Sequence, residues 1–269
     1  MRSVGVIGCG WLGMPLAIKL IEQGYEVHGT TTRADRLALL TENGINGYVL
    51  NLPIVNSDPS ISALCSCDTY VINIPPGRRN PDYASNYPQR IKTLLGAILK
   101  YRTDPRVIFV SSTGVYKNTG VSANESSPLI SEKESVLLQA EHLIAEQIKD
   151  SIILRMSGLV GPGRHPGKWF AGKIRIPGGN TPINMVHQSD CIELISSIIL
   201  KGLINGTYNV CADEHPIKQA FYGKMSEQIE VVPPQFQEGF VPYKIVENQK
   251  LKERLGFSYK FSDPMRFSY

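Results

Sequence analysis

Short apolar runs alternate with longer amphipathic segments over the first two-thirds of the chain. The runs Val4–Ile7, Glu26–Gly29, Gly47–Leu50, Thr69–Ile74, Val107–Ser111 and Ile152–Arg155 predict strands. Between them, Trp11–Gln23 carries Leu12, Leu16, Leu20 and Ile21 at helical spacing, and Ala34–Asn43 and Asn86–Lys100 follow as helices. Glu132–Lys149 predicts another helix, with Val136, Ala140, Leu143 and Ile144 on one face. Strand–helix alternation with connections this short implies parallel strands. The expected fold class is therefore α/β, a Rossmann-type doubly wound parallel sheet with ligands beyond the strand C-termini. After Arg155 the texture changes. Met156–Asn184 is rich in Gly and Pro and has no long periodic segment. A helix is expected at Gln188–Lys201, a strand at Thr207–Cys211, a helix near Pro216–Glu230 and a short one at Asn248–Leu255.

Composition narrows the partners. Of 269 residues, 42% are hydrophobic and 19% charged, which is ordinary for a folded chain. Lys plus Arg number 28 and Asp plus Glu 24, a net charge of +4 that is too mild to argue for nucleic acid or a membrane surface. No apolar run approaches the ~18 residues a membrane span needs. The first residues enter a strand pattern without a signal-peptide arrangement, so the expected location is cytoplasmic. Cys9, Cys65, Cys67, Cys191 and Cys211 are odd in number and scattered, and read as reduced, largely buried thiols. Cys65-Ser66-Cys67 has no partner pair, and the five histidines show no zinc spacing, so no metal is expected.

The chemistry begins at Gly8-Cys9-Gly10-Trp11-Leu12-Gly13, between the first strand and the first helix. In that setting the first glycine permits the tight turn. The second lets a pyrophosphate approach the backbone, and the third lets the helix pack on the sheet. Gly8, Cys9, Gly10, Trp11, Leu12 and Gly13 are thus expected to line a dinucleotide site. Where an NAD enzyme carries Asp or Glu at the end of the second strand, this chain offers Thr31, Thr32 and Arg33. Hydroxyls and a guanidinium suit the 2′-phosphate of NADP, with NAD the alternative. Pro75 and Pro76, after the fourth strand, are expected to form a rigid cofactor wall. Arg78 and Arg79 follow as solvated charges or phosphate ligands. The expected organisation is an NAD(P)-binding domain over residues 1–155 and a substrate lobe over residues 156–269, partly interleaved with the main sheet.

Two families share this opening. Gly8 to Arg33, with Met14-Pro15-Leu16-Ala17, resembles the start of the β-hydroxyacid dehydrogenases, which continue into an all-helical second domain. Here Arg106-Val107-Ile108-Phe109-Val110-Ser111-Ser112-Thr113-Gly114-Val115-Tyr116 reads instead as a fifth strand and its exit loop. That segment resembles the extended short-chain dehydrogenase/reductase superfamily of epimerases and dehydratases. So do Leu154 to Arg164, Ile183 to Asp190 and Gly206-Thr207-Tyr208-Asn209-Val210. The matches run in chain order from Arg2 to Val210. Ile7 stands where the extended group usually has the first glycine of a longer motif, which points to atypical members.

The resemblance implies a hydroxyl that holds the substrate oxygen, a Tyr that exchanges the proton, and a Lys four residues after it. Ser112 matches the hydroxyl. The glutamate that follows the Tyr-xxx-Lys in relatives matches Glu141. Counting back puts Leu137 at the Lys position and Lys133 at the Tyr position, so the dyad is absent in this register. Tyr116 and Lys133 are the candidate substitutes as proton donor. From Arg155 to Ser189 there is no acid, while Arg155, Arg164, Lys168, Lys173, Arg175, His165 and His187 all fall there. That suits a small anionic substrate such as a nucleotide diphosphate or carboxylate. His187 and Asp190 match a His-x-x-Asp of relatives, in which the Asp is expected to cap the helix. Relatives also pair Asn86–Lys100 and Glu132–Lys149 across a dimer, so a homodimer is possible here. The first functional reading is an NADP-dependent oxidoreductase or epimerase-like enzyme. The second is a non-catalytic NAD(P)-binding sensor or partner protein.

Overall fold

The computed structural model describes residues 2–54, 61–77, 84–202 and 205–269. The strands are β1 Ser3–Ile7, β2 Glu26–Thr31, β3 Asn46–Val49, β4 Thr69–Ile72, β5 Arg106–Ser112, β6 Ser122–Ala123 and β7 Asp150–Met156. They continue as β8 Gly158–Val160, β9 Ile176–Pro177, β10 Met185–His187, β11 Gly206–Val210, β12 Phe236–Gln237 and β13 Ile245–Val246. The helices are α1 Gly13–Glu22, α2 Leu37–Glu42, α3 Ser62–Cys65, α4 Tyr87–Tyr101, α5 Val136–Gln147, α6 Gln188–Lys201, α7 Lys218–Glu227 and α8 Gln249–Leu255. Seven strands form one parallel sheet in the order β11-β7-β5-β4-β1-β2-β3. This is the expected doubly wound arrangement, and the strand near Thr207–Cys211 does join the main sheet as its edge.

The chain divides into two compact units. One comprises residues 1–115, 130–154 and 195–207, the other 116–129, 155–194 and 208–269. In the first, β4 is buried along its last three residues because helices cover both faces of the sheet. One core cluster joins Ile7, Tyr70, Ile72, Val107 and Phe109 to Tyr87, Ile91, Leu94, Leu95 and Ile98 of α4 and to Ala140 and Ile144 of α5. The second unit has its own core of Val160, Ile183, Met185, Phe221, Tyr222, Met225 and Phe267. Its short strands pair as β8 with β10, β9 with β12 and β6 with β13.

Two predicted helices begin differently in the structure. Over Ala34–Asn43 a 3-10 turn, Ala34–Arg36, precedes α2. Over Glu132–Lys149 a 3-10 turn, Glu132–Glu134, precedes α5. The cause of the second is local. Ser135 is extended and its Oγ accepts the Leu138 N–H at 3.3 Å, so the helix is capped there rather than at Glu132. All five cysteines are free and buried. No helix of the described residues is long and apolar enough to cross a membrane.

Candidate cofactor and active site

β1 ends at Ile7 and the backbone turns at Gly8 with φ +103°, a conformation glycine adopts without strain. A Cβ there would stand 2.9 Å from the Asn73 carbonyl oxygen. The Gly8 N–H donates to Thr30 Oγ1 at 2.8 Å, and the Cys9 N–H donates to the Thr30 carbonyl at 2.8 Å. The end of β2 thus holds the turn with both a side chain and a main-chain group. At Gly13 a Cβ would lie 2.1 Å from the Gly8 carbonyl oxygen, so α1 starts in direct contact with the turn. Gly10 is the opposite case: a Cβ there meets no heavy atom of the described residues within 4 Å. The N-terminus of α1 has neither a side-chain cap nor an acidic residue in its first turn. Open backbone at Gly10 beside the positive end of a helix fits a pyrophosphate.

The crowding at Gly13 has a measurable consequence. Gly13→Ala is expected to destabilise the fold by about 1–3 kcal/mol or more, the cost of forcing a methyl group against packed backbone. Urea unfolding of both proteins checks this, and an unchanged midpoint would show that α1 is free to slide.

Of the other residues expected around the cofactor, Leu12 is buried and Trp11 half-buried. Cys9 is buried, and burial pushes its thiol up to about 12. Thr31 is half-buried and Thr32 exposed. Arg33 is exposed, and its Nε donates to Asp35 Oδ1 at 3.0 Å while Nη2 donates to Asp35 Oδ2. Arg33, expected beside a phosphate, is here paired with the carboxylate of Asp35 two residues away. Pro75 and Pro76 lie on a loop fixed from α4. Tyr87 Oη donates to the Ile74 carbonyl at 2.8 Å, and the buried Arg90 donates to the Pro76 carbonyl at 3.0 Å. Arg78 and Arg79 lie outside the described residues. Thr30, Asp35, Tyr87 and Arg90 were not singled out from sequence. Thr30 carried a signal as the first residue of the Thr30-Thr31-Thr32 run, and Asp35 as an acid two residues from Arg33.

Ser112 ends β5, on the same edge of the parallel sheet as Gly8 and Asn73. Its Oγ accepts the Gly114 N–H at 3.1 Å, which leaves the hydroxyl proton to donate. Beneath it, Ser111 Oγ donates to Glu141 Oε1 at 2.5 Å, and Glu141 is buried on α5. Leu137 is half-buried on that helix.

The two candidate substitutes for the proton donor stand in different surroundings. Lys133 is exposed on the 3-10 turn before α5. It stands in an open groove of about 410 Å³ with Glu132, His142 and Glu146. Tyr116 belongs to the second unit and is 1% exposed. Its hydroxyl donates to Asn209 Oδ1 at 2.7 Å and accepts from Arg155 Nη1 at 2.9 Å, with the guanidinium 4.9 Å from the ring centre. Burial pushes the phenol above its ordinary value against the pull of Arg155. Both bonds of its hydroxyl thus tie Tyr116 into the second unit.

The basic segment is likewise sorted by the structure. Arg155 is committed to Tyr116. His165 caps a 3-10 turn, its Nδ1 accepting the Gly167 N–H at 3.1 Å. His187 is buried, with Nδ1 accepting the Ser189 N–H at 3.3 Å and Nε2 2.9 Å from the Ser268 carbonyl. Asp190 accepts the N–H groups of Lys260 and Phe261 at 2.9 and 3.0 Å, so it ties down a distant segment instead of capping α6. Arg164, Lys168, Lys173 and Arg175 are exposed. The Nζ atoms of Lys173 and Lys218 lie 5.1 and 5.2 Å from the Phe170 ring centre.

Known proteins agree with this architecture. Residues 3–73 match the NAD binding domain of 6-phosphogluconate dehydrogenase. Among solved structures, UDP-N-acetylglucosamine 4-epimerase from Bacillus cereus superposes with a TM-score of 0.77 at 14% identity, covering 98% of this chain and 97% of that one. UDP-glucuronic acid 4-epimerase from Bacillus cereus, solved in complex with NAD, gives 0.77 at 19% identity, covering 98% and 96%. Both share the fold that the exit loop of β5 suggested. Protein YeeZ of Escherichia coli K12 is 35% identical over 272 residues, covering 98% of each chain. The chain therefore belongs to the family of protein YeeZ, on the Rossmann-type fold of the NAD-dependent epimerases and dehydratases.

Proposed function

We propose that the chain is an NADP-dependent oxidoreductase or epimerase-like enzyme acting on a small anionic substrate. The observation that carries the reading is the glycine turn, clamped by Thr30 and open only at Gly10. Bound nicotinamide supplies a hydride donor or acceptor. The residues do the rest: the turn and the start of α1 hold the pyrophosphate, Thr31, Thr32 and Arg33 face the adenosine ribose, and Pro75 and Pro76 wall the cofactor. Ser112 orients the substrate oxygen with its free hydroxyl proton. Residues 1–155 then serve the cofactor and 156–269 the substrate, whose negative charge is drawn to Lys168, Lys173 and Arg175. The five buried thiols suit a reducing cytoplasm. Pairing through α4 and α5 would make a homodimer.

Calorimetric titration with NADPH and NADH tests the cofactor assignment. NADPH is expected to bind more tightly, and Arg33→Ala to narrow the gap about tenfold by removing a charge-assisted phosphate contact. Equal affinity for the two cofactors in the unmutated protein overturns the NADP assignment.

A second reading, a dinucleotide-binding sensor without hydride chemistry, is favoured by one observation. Counted back from Glu141, the Tyr position falls on the exposed Lys133 of the 3-10 turn before α5 and the Lys position on Leu137, while the Tyr116 hydroxyl is bonded to Asn209 and Arg155. Oxidation of bound NADPH by any of a panel of sugar nucleotides, ketoacids and aldehydes would decide for the enzyme.

A further inference from the structure

We infer that Asp35 is a specificity-determining residue, holding the Arg33 guanidinium so that discrimination in favour of a 2′-phosphate is weakened. The inference rests on the proposal that Arg33 meets that phosphate. Its basis is the geometry just past β2. The Arg33 N–H donates to Thr31 Oγ1 at 3.2 Å, and the Arg36 N–H donates to the Arg33 carbonyl at 3.1 Å. These bonds fix the 3-10 turn Ala34–Arg36 directly beyond the strand. On it, Asp35 receives Nε and Nη2 of Arg33 on its two oxygens, the side-on fork by which arginine grips a carboxylate. That fork is also the geometry by which arginine grips a phosphate.

A 2′-phosphate reaching Arg33 therefore meets a guanidinium with one edge occupied and a fixed negative charge beside it. The Arg33 guanidinium holds the Asp35 carboxyl below the usual carboxylate range, so the competing charge is present at neutral pH. A bare 2′-hydroxyl brings no charge and meets no such repulsion. Asp35 thus taxes NADPH and leaves NADH alone. Both partners are more than 60% exposed, at 67% and 61% of their side chains, so the effect is modest and screened by salt.

The sequence Arg33-Ala34-Asp35-Arg36 places a carboxylate between two guanidinium groups. Arg36 is half-exposed, and its charge acts on both Asp35 and the Cys9 thiol.

The test is calorimetric titration of the full chain, Asp35→Asn, Arg33→Ala and the double variant. The probes are NADPH, NADH and 2′,5′-ADP, which carries the phosphate without the nicotinamide. Asp35→Asn is expected to tighten NADPH and 2′,5′-ADP about two- to fivefold at low salt, the range of exposed ion pairs. It should leave NADH unchanged, and the gain should vanish in the Arg33→Ala background. Weakened NADH binding would overturn the inference, because Asp35 would then be holding the ribose hydroxyls itself. So would unchanged NADPH affinity, or an equal gain without Arg33. Equal affinity of the unmutated chain for NADPH and NADH refutes the NADP reading instead, and that outcome is read without any variant.

Discussion

Gly10→Val is expected to abolish cofactor binding while leaving the fold intact, a loss of at least about 100-fold in NADPH affinity. The two halves of that expectation come from the same observation. A Cβ on Gly10 meets no described heavy atom within 4 Å, so the valine costs the folded chain little. The same empty space is where a pyrophosphate must touch backbone, and a branched side chain fills it. Gly8 and Gly13 cannot serve this test, because substitution there collides with Asn73 and with Gly8 itself. Titration calorimetry paired with far-UV circular dichroism and a thermal melt reads both halves. A Gly10→Val protein that binds NADPH with unmutated affinity would place the pyrophosphate elsewhere.

The second large effect concerns turnover. A phenol with pKa ~10 is a poor proton shuttle at neutral pH unless a neighbouring cation and a buried site assist it. Counting back from Glu141 on α5 gives Leu137 and, on the 3-10 turn before the helix, Lys133, and Tyr116 donates its proton to Asn209. Little or no turnover is expected on ordinary nucleotide-sugar epimerase substrates, even with cofactor bound. On any substrate that is accepted, Ser112→Ala should cost on the order of 10²-fold, since orienting the substrate oxygen is separable from supplying the proton. Lys133→Met should leave the rate unchanged. Tyr116→Phe should lower stability by about 1–3 kcal/mol, because the buried Asn209 and Arg155 each lose a partner. Rates and melts of the three variants on one accepted substrate decide. Robust epimerase activity untouched by all three would mean that Glu141 does not mark the register of α5.

The cofactor half of the fold was legible because its signals are local. Glycine spacing fixes the turn after β1, and apolar periodicity fixes α1 and α4, since both depend on residues a few positions apart. What escaped depends on partners far along the chain. Asp190 reads as a helix cap until Lys260 and Phe261 arrive at its oxygens. Arg155 reads as part of a cationic wall until Tyr116 covers it. The two-residue strands Ser122–Ala123 and Ile245–Val246 exist only because they find each other, and neither segment has a period long enough to announce a strand. Arg33 is a different case. Its partner is two residues away and visible in the sequence, but composition does not say whether an exposed arginine turns to its neighbour or to a ligand.

The loop after β4 has an entropic consequence. Its two prolines have no N–H to offer and little torsional freedom, and the carbonyls of Ile74 and Pro76 are held by Tyr87 and Arg90. The ordering cost of this segment was met when α4 docked, not when a ligand arrives. A ligand that rests on Ile74–Gly77 meets a surface already in its bound shape, so its association should proceed without a slow closing step at this wall. Helix α4 thereby acts on affinity from a distance: loosening Arg90 would return that entropy to the free protein and be felt as a weaker complex, although Arg90 itself need never touch the ligand.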